Sequence, residues 1–463
     1  MDSALSRSPN RPAGRKLRLP WRSPFHAAVS ISFVVVLAGV LLVFVPDFVA
    51  NRFLKGRVIA SFAEAYPGFS LRIGHMHYSI WQNLLQCDSV LLTTTDSTVS
   101  CTLAGFSVSG IGRKQFIRQG IPGPDDFRSA VVTAQDIVFR FPLKEYEIRC
   151  GLLHISVPDS EVSVEALTLN PSGDDEQFFE GSRVRKTRVR LVVPHARAVG
   201  VECLALLQGK AYRALTAQID NPFFDVLINK DKPLVDDSSS PPWPNEFLAG
   251  IAGILQVDSL IVTNGRLKYG ERFAVGARVA LITVDSLHVL AEGIANHGDP
   301  AALLVIRAEG KLMEAGTLTL RMSIPVASRE PTFHYSGSLS RMDLSALDVF
   351  LETAEQVRIK SGVLQEAAFE INVASGRASG SVRAEYRDFA IAAINRQTGS
   401  EKGIPDAVAS FIANTFTIHG TNVPDKSGSL RSGNVNYARK RDDSFLQFSW
   451  FALRSGVRDV VGL

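Results

Sequence analysis

Residues 317–324 read Thr317-Leu318-Thr319-Leu320-Arg321-Met322-Ser323-Ile324. Leucine, leucine, methionine and isoleucine take every second place, with threonine, threonine, arginine and serine between them. Side chains alternate between the two faces of a β-strand, so this spacing predicts a strand with one apolar and one polar face. Similar alternation recurs at 160–169, 369–373, 382–386 and 415–419. Asn264-Gly265, Ser361-Gly362, Ser375-Gly376 and Ser379-Gly380 stand beside or between such runs and predict tight turns between antiparallel neighbours, not βαβ crossovers. The expected fold class is mostly β.

Helical patterns interrupt the strands. Short helices are expected at 201–207, 246–255, 405–414 and, after a cap at Asp343, up to about Gln356. Residues 47–68 keep a helical pattern that Pro67-Gly68 ends. At 444–463, Leu446, Trp450, Leu453, Val457 and Val460 recur at spacings of four and three, giving one apolar stripe flanked by Arg454 and Arg458. This helix is expected to plug the end of the sheet, with docking on a membrane or a partner as the alternative. The Pro-, Ser- and Asp-rich stretch 230–245 (KDKPLVDDSSSPPWPN) reads as a linker between two β lobes or as a surface loop of one continuous sheet. Leu255-Gln256-Val257-Asp258-Ser259-Leu260 echoes Leu85-Gln86-Cys87-Asp88-Ser89-Val90 and hints at repeated architecture.

Residues 24–46 (PFHAAVSISFVVVLAGVLLVFVP) carry no formal charge and are long enough, at about 1.5 Å per helical residue, to cross the roughly 30 Å core of a bilayer. Ahead of them, Arg7, Arg11, Arg15, Lys16, Arg18 and Arg22 face a single acid, Asp2, which predicts a cytoplasmic N-terminus. A cleaved signal peptide fits less well, because Phe48-Val49-Ala50 puts a ring where cleavage needs a small residue. The expected organisation is a basic tail (1–23), a membrane span (24–46), a helical cap (47–68), an N-terminal β half (69–229), the linker or loop (230–245), a C-terminal β half (246–443) and an amphipathic helix (444–463).

The net charge of +4 lies largely in the basic tail, and nothing in the remainder points to nucleic acid. Cys87, Cys101, Cys150 and Cys203 form no CxxC or Cys/His cluster, so zinc is not expected. They read as small buried hydrophobes, with a Cys87–Cys101 disulfide as the alternative. His75 and His77 would share a strand face, but no third ligand is identifiable, so they read as surface histidines. Asp125-Asp126, Asp174-Asp175 and Asp236-Asp237 lie in loop-like sequence and read as solvated acids. Gly105-Phe106-Ser107-Val108-Ser109-Gly110 has the wrong spacing for a nucleophile elbow, and no Walker, HExxH, GxGxxG or calcium-loop motif occurs. The residues themselves carry no catalytic constellation and call for no cofactor.

A set of β-structural motifs resembles the AsmA-like superfamily, most closely the family of uncharacterised envelope proteins of the Bacteroidetes/Chlorobi type. These motifs are Val262-Thr263-Asn264-Gly265-Arg266-Leu267-Lys268-Tyr269-Gly270-Glu271, Glu309-Gly310-Lys311-Leu312-Met313, Tyr335-Ser336-Gly337-Ser338-Leu339-Ser340-Arg341-Met342-Asp343 and Ser361-Gly362-Val363-Leu364. Gly380-Ser381-Val382-Arg383-Ala384-Glu385-Tyr386-Arg387-Asp388, Ser444-Phe445-Leu446-Gln447-Phe448-Ser449-Trp450 and Ser455-Gly456-Val457 complete the set. The resemblance spans roughly residues 50–463. It implies an inner-membrane anchor, a bulk in the periplasm, and an elongated, U-shaped antiparallel β-groove whose apolar lining carries phospholipid. It further implies a non-enzymatic role in lipid transfer or outer-membrane homeostasis. The chain is shorter than the large members that bridge the envelope.

If the apolar faces line a trough, Leu318, Leu320, Met322 and Ile324 are candidates for its lining. The same alternation would serve a closed sandwich whose apolar faces pack together. The alternative function is a scaffold that holds another envelope protein. An envelope hydrolase would need a cluster that sequence spacing does not reveal. At ~12 residues and ~4.8 Å per strand, a single stack would run about 100–150 Å.

Overall fold

The computed structural model describes residues 55–79, 82–96, 98–110, 127–141, 145–234, 242–299, 301–326, 331–394, 419–441 and 443–462. The basic tail, the expected span at 24–46, the expected helix at 405–414 and all but the last residue of the expected strand at 415–419 lie outside them. Among the described residues no helix is long and apolar enough to cross a membrane.

The chain opens with helix α1 (Lys55–Ala65). Six strands follow: β1 (Phe69–Ser79), β2 (Leu84–Thr94), β3 (Ser100–Ser109), β4 (Val131–Arg140), β5 (Tyr146–Ser156) and β6 (Glu161–Pro171). Next come α2 (Asp175–Glu180), β7 (Thr187–Val199), α3 (Cys203–Leu207), β8 (Ala211–Asp220), β9 (Phe223–Asn229) and α4 (Pro244–Ala249). Strands β10 (Ile254–Arg272), β11 (Ala280–Ala295), β12 (Leu303–Leu312), β13 (Gly316–Pro325), β14 (Phe333–Leu339) and β15 (Met342–Asp343) lead to a 3-10 turn (Leu344–Leu347) and α5 (Asp348–Ala354). Strands β16 (Val357–Ala374), β17 (Arg377–Ala393) and β18 (Ser432–Ala438) and helix α6 (Phe445–Val461) complete the described elements.

All 18 strands belong to one sheet. Each pairs antiparallel with its sequence neighbour from β1 to β8 and from β10 to β14, and β14 passes to β16, β17 and β18. Strands β8 and β9 lie end to end beside β7, and β10 pairs parallel with both. The sheet is thus a meander with one parallel joint, and it runs unbroken past the stretch read as a linker. Within that stretch Trp243 is fully buried and starts α4, its backbone N–H donating to Glu246 at 2.7 Å. The packing is confined to the end of the segment, at Trp243 and Asn245, and residues 235–241 lie outside the described residues. The Trp243 ring packs on Phe333, Phe445 and Phe448, with the Arg439 guanidinium over its face.

Three of the four expected turn pairs prove to lie inside strands. Asn264-Gly265 falls within β10, Ser361-Gly362 within β16 and Ser379-Gly380 within β17, while Ser375-Gly376 is a hairpin turn. Asn and Gly supply the positive φ that a turn needs, but a mid-strand irregularity needs it equally.

Apolar clusters lie at the two ends of the sheet. One joins Phe62 of α1 to the inward side chains of β1–β5, among them Met76, Leu85 and Phe106. The other joins α4 and α6 to β11–β18 through Trp243, Met322, Tyr335, Ile371 and Phe448. Helix α6 starts on a capping box of Ser444 and Gln447 and packs on β17 and β18, as expected of an end plug. Its buried face matches the stripe read from the sequence only in part: Phe448, Ala452, Gly456 and Val460 face the sheet and Leu453 packs beside them, while Leu446, Trp450 and Val457 are exposed. The close fit depends on two glycines, since a Cβ on Gly433 would meet the Gly456 carbonyl oxygen at 2.0 Å.

Candidate functional site

The register carries one apolar ladder across sixteen strands. It begins Met76–Cys87–Phe106–Ala134–Leu153–Val164, each residue directly opposite the next on β1 to β6. It continues Ala196–Ile219–Val262–Val289–Ala308–Leu320 across β7, β8 and β10 to β13. It ends Gly337–Phe369–Val382–Gly433 on β14, β16, β17 and β18. A second ladder two residues along is as complete, running from Tyr78 and Leu85 through Ala217, Leu260, Met322 and Ile371 to Val435. The row between them belongs to the other face and is mostly polar, as in His77, Gln86, Ser107, Arg197, Arg307 and Arg321.

A further feature runs parallel to these ladders. Pairing lapses at one level across successive strands, at Gly74, Ser89, Ala104, Asp136, Gly151, Ala166, Pro194, Asn221, Asn264 and Ser286. Six of these hold left-handed backbone: Ser89 (φ 58°), Asp136 (50°), Ala166 (52°), Asn221 (52°), Asn264 (52°) and Ser286 (49°). Irregularities of this kind bend a strand and raise its twist, so a row of them creases the sheet. At the crease the inward phase slips by one residue. Inward residues are Leu71 and Ile73, then Met76 and Tyr78 on β1; Val162 and Val164, then Leu167 and Leu169 on β6. Beyond the crease a third apolar ladder runs Leu71–Leu92–Cys101–Phe139–Ile148–Leu169–Leu191–Phe224–Leu267–Val284–Leu312.

Burial along the first ladder is uneven. Met76, Cys87, Phe106 and Ala134 are buried at one end and Val382 at the other. The ten positions between, Leu153 to Phe369, are all only half-buried. A concavity of about 570 Å³ is bordered by residues of both faces: Val262, Val289, Ala308, Leu320 and Gly337 of the ladder, and nine of the opposite face, among them Ile261, Leu290, Arg307, Glu309, Thr319 and Arg321.

Of the four residues singled out on β13, Leu320 and Met322 lie on the first and second ladders, and all four share the apolar face. Met322 and Ile324 are buried in the C-terminal core, whereas Leu318 and Leu320 are half-buried. Sequence reading missed Val164, Ala196, Ile219, Val262, Val289 and Ala308. Among the strands read from alternation, only 160–169 holds one of them, Val164, and the alignment of all six depends on register.

Titratable groups are spent on structure. All four cysteines are free and buried. Burial pushes the Cys87 and Cys101 thiols up to about 12 and Cys203 to about 11. Cys87 stands opposite Phe106 and Cys101 opposite Leu92, five positions apart along the ladder, so a disulfide would have to span about 16 Å. Asp174-Asp175 departs from the solvated-acid reading: Asp174 caps α2, and Asp175 binds Arg188 and Arg190 at 3.1 and 2.7 Å. Buried Arg188 also meets Asp225 at 3.0 Å. Asp125-Asp126 and Asp236-Asp237 lie outside the described residues. His75 and His77 are exposed on one face of β1, and among the described residues no three His, Cys, Asp or Glu side chains gather as metal ligands. Burial followed by the neighbouring Glu271 carboxylate raises the Tyr269 hydroxyl, which donates to Glu271 at 2.7 Å.

Searches against protein-family models and curated proteins return no match for this chain.

Proposed function

We propose that this is a non-enzymatic lipid-binding protein, anchored in the inner membrane with its bulk in the periplasm, and that its creased sheet forms a groove for acyl chains. Phospholipid transfer or outer-membrane homeostasis is the function this supports. The observation that carries the reading is the first apolar ladder, half-open over ten strands. Nine steps of ~4.8 Å make that stretch about 43 Å, against about 15 Å for the acyl layer of one leaflet. Leu153 and Val164 pack on one core and Leu320 and Phe369 on the other; the half-buried apolar positions between them are unfavourable in water unless something apolar covers them, and acyl chains match that chemistry. The polar reverse face keeps the rest of the sheet hydrated. A filled sandwich would bury the middle of the ladder as deeply as its ends, and that is not the observed pattern.

Photo-crosslinking in cells tests this. A photoreactive residue replacing Val289 or Leu320 is expected to capture phospholipid, while one replacing Arg307 or Arg321 on the opposite face is not. Equal labelling of both faces, or none at Val289 and Leu320, would sink the groove.

A further inference from the structure

The outward face of α6 has no role in the groove. Leu446, Trp450 and Val457 are 52%, 39% and 41% exposed. At 3.6 residues per turn they fall within about 40° of one another, a single ridge beside the buried face. Phe247 of α4 is 50% exposed, and α4 meets α6 through the contacts of Trp243 with Phe445 and Phe448. Three exposed cations stand close to the ridge along the chain: Lys440 and Arg441 immediately before the helix and Arg458 in its last turn, about 80–120° round the helix from the ridge. Arg454 is engaged by Glu355 at 2.5 Å. Asp443 and Asp459 stand nearby, and Asp459 is exposed, so its carboxylate offsets part of this charge. Asp443 is buried and accepts from the Tyr437 hydroxyl, and Asp459 accepts from the Asn434 backbone N–H. Asp442 lies outside the described residues.

We infer that this end of the molecule docks on an anionic lipid bilayer, with Leu446, Trp450, Val457 and Phe247 entering the interface and Lys440, Arg441 and Arg458 meeting headgroup phosphates. The charge is complementary to such a surface and the apolar residues stand as a convex ridge. A ridge suits shallow insertion, and a tryptophan belongs at the headgroup level. Each cation near such a surface strengthens binding about fivefold. The docking site lies on β17 and β18, at the opposite end of the sheet from α1, and does not require lipid in the groove.

The test uses the full chain held in nanodiscs of phosphatidylcholine and measures capture of separate vesicles. Vesicles containing phosphatidylglycerol are expected to be captured, and vesicles of phosphatidylcholine alone are not. Lys440→Glu with Arg441→Glu, or Leu446→Gln with Trp450→Ser, should each reduce capture at least about tenfold with the thermal midpoint unchanged. Added salt should release wild-type complexes, a check that needs no variant. The inference is overturned by equal capture of both vesicle types or by capture indifferent to both double variants. It is equally overturned if capture appears only when another protein is supplied. Because lipid in the groove is not measured, failure here leaves the photo-crosslinking result standing, and the reverse holds too.

Discussion

The four thiols show how individual residues serve the sheet. Cys87 and Cys101 occupy adjacent strands, each within an apolar ladder, and burial favours their neutral form. An unfolded thiol ionises near about 8.5, whereas these do so near 12. The stabilisation is therefore complete below about pH 8.5 and is lost progressively as pH rises towards the folded values. Chemical denaturation is expected to show a midpoint that falls over that alkaline range, with a smaller slope in Cys87→Ala. Native protein at pH 8 should resist alkylation, and denaturation should release all four thiols, as intact-mass measurement would show. Rapid native labelling of Cys87 would contradict its burial.

Within single strands, the crease is the feature that shapes the sheet. Ala166 is exposed and holds φ of 52° in the middle of β6, a conformation costing an L-residue roughly 1–2 kcal/mol. Glycine removes that strain but gains entropy in the unfolded chain, worth about 0.4–1 kcal/mol in the other direction. Ala166→Gly is expected to stabilise the protein by about 0.5–1 kcal/mol. Ala198→Gly, on the second ladder of β7, should destabilise it by at least about 0.5–1 kcal/mol. Thermal unfolding of the two variants decides the matter: a loss in both would mean that Ala166 is not strained.

Across the whole molecule, the ladder links sixteen of the described strands to the proposed function. A charge in an apolar strip costs several kcal/mol to desolvate, so a carboxylate at Leu320 should obstruct acyl chains. Leu320 is the better probe than Met322, because Met322 is 4% exposed and its substitution would report on folding. In a deletion strain with a measurable envelope defect, Leu320→Asp is expected to fail to rescue at normal protein levels, while Arg321→Asp on the hydrated face rescues. Equal rescue by both would remove the groove from the function. Fifteen steps of ~4.8 Å across sixteen paired strands give about 72 Å, shorter than the 100–150 Å expected at ~12 residues per strand. Strands such as β10, with 19 residues, make the sheet wider along its strands and use more chain for each step.

By itself the sequence determined the alternation at 317–324, the capped helix at the C-terminus and the mostly β class, because each depends on residues within a few positions of one another. The phase slip lies in the spacing of Leu71, Ile73, Met76 and Tyr78 and again of Val162, Val164, Leu167 and Leu169, but the alternation expected over 160–169 runs straight through it, and the register of β5, β6 and β7 reveals it. Only the tertiary structure decided that Asn264-Gly265 lies mid-strand and that Trp243 anchors a core. It also decided that Ile219 stands beside Val262 through a parallel joint. Alternation tells which residues of one strand share a face, but a slip of one residue between strands reverses that face. The continuity of the ladders therefore rests on register between segments far apart in the chain, which no local pattern records.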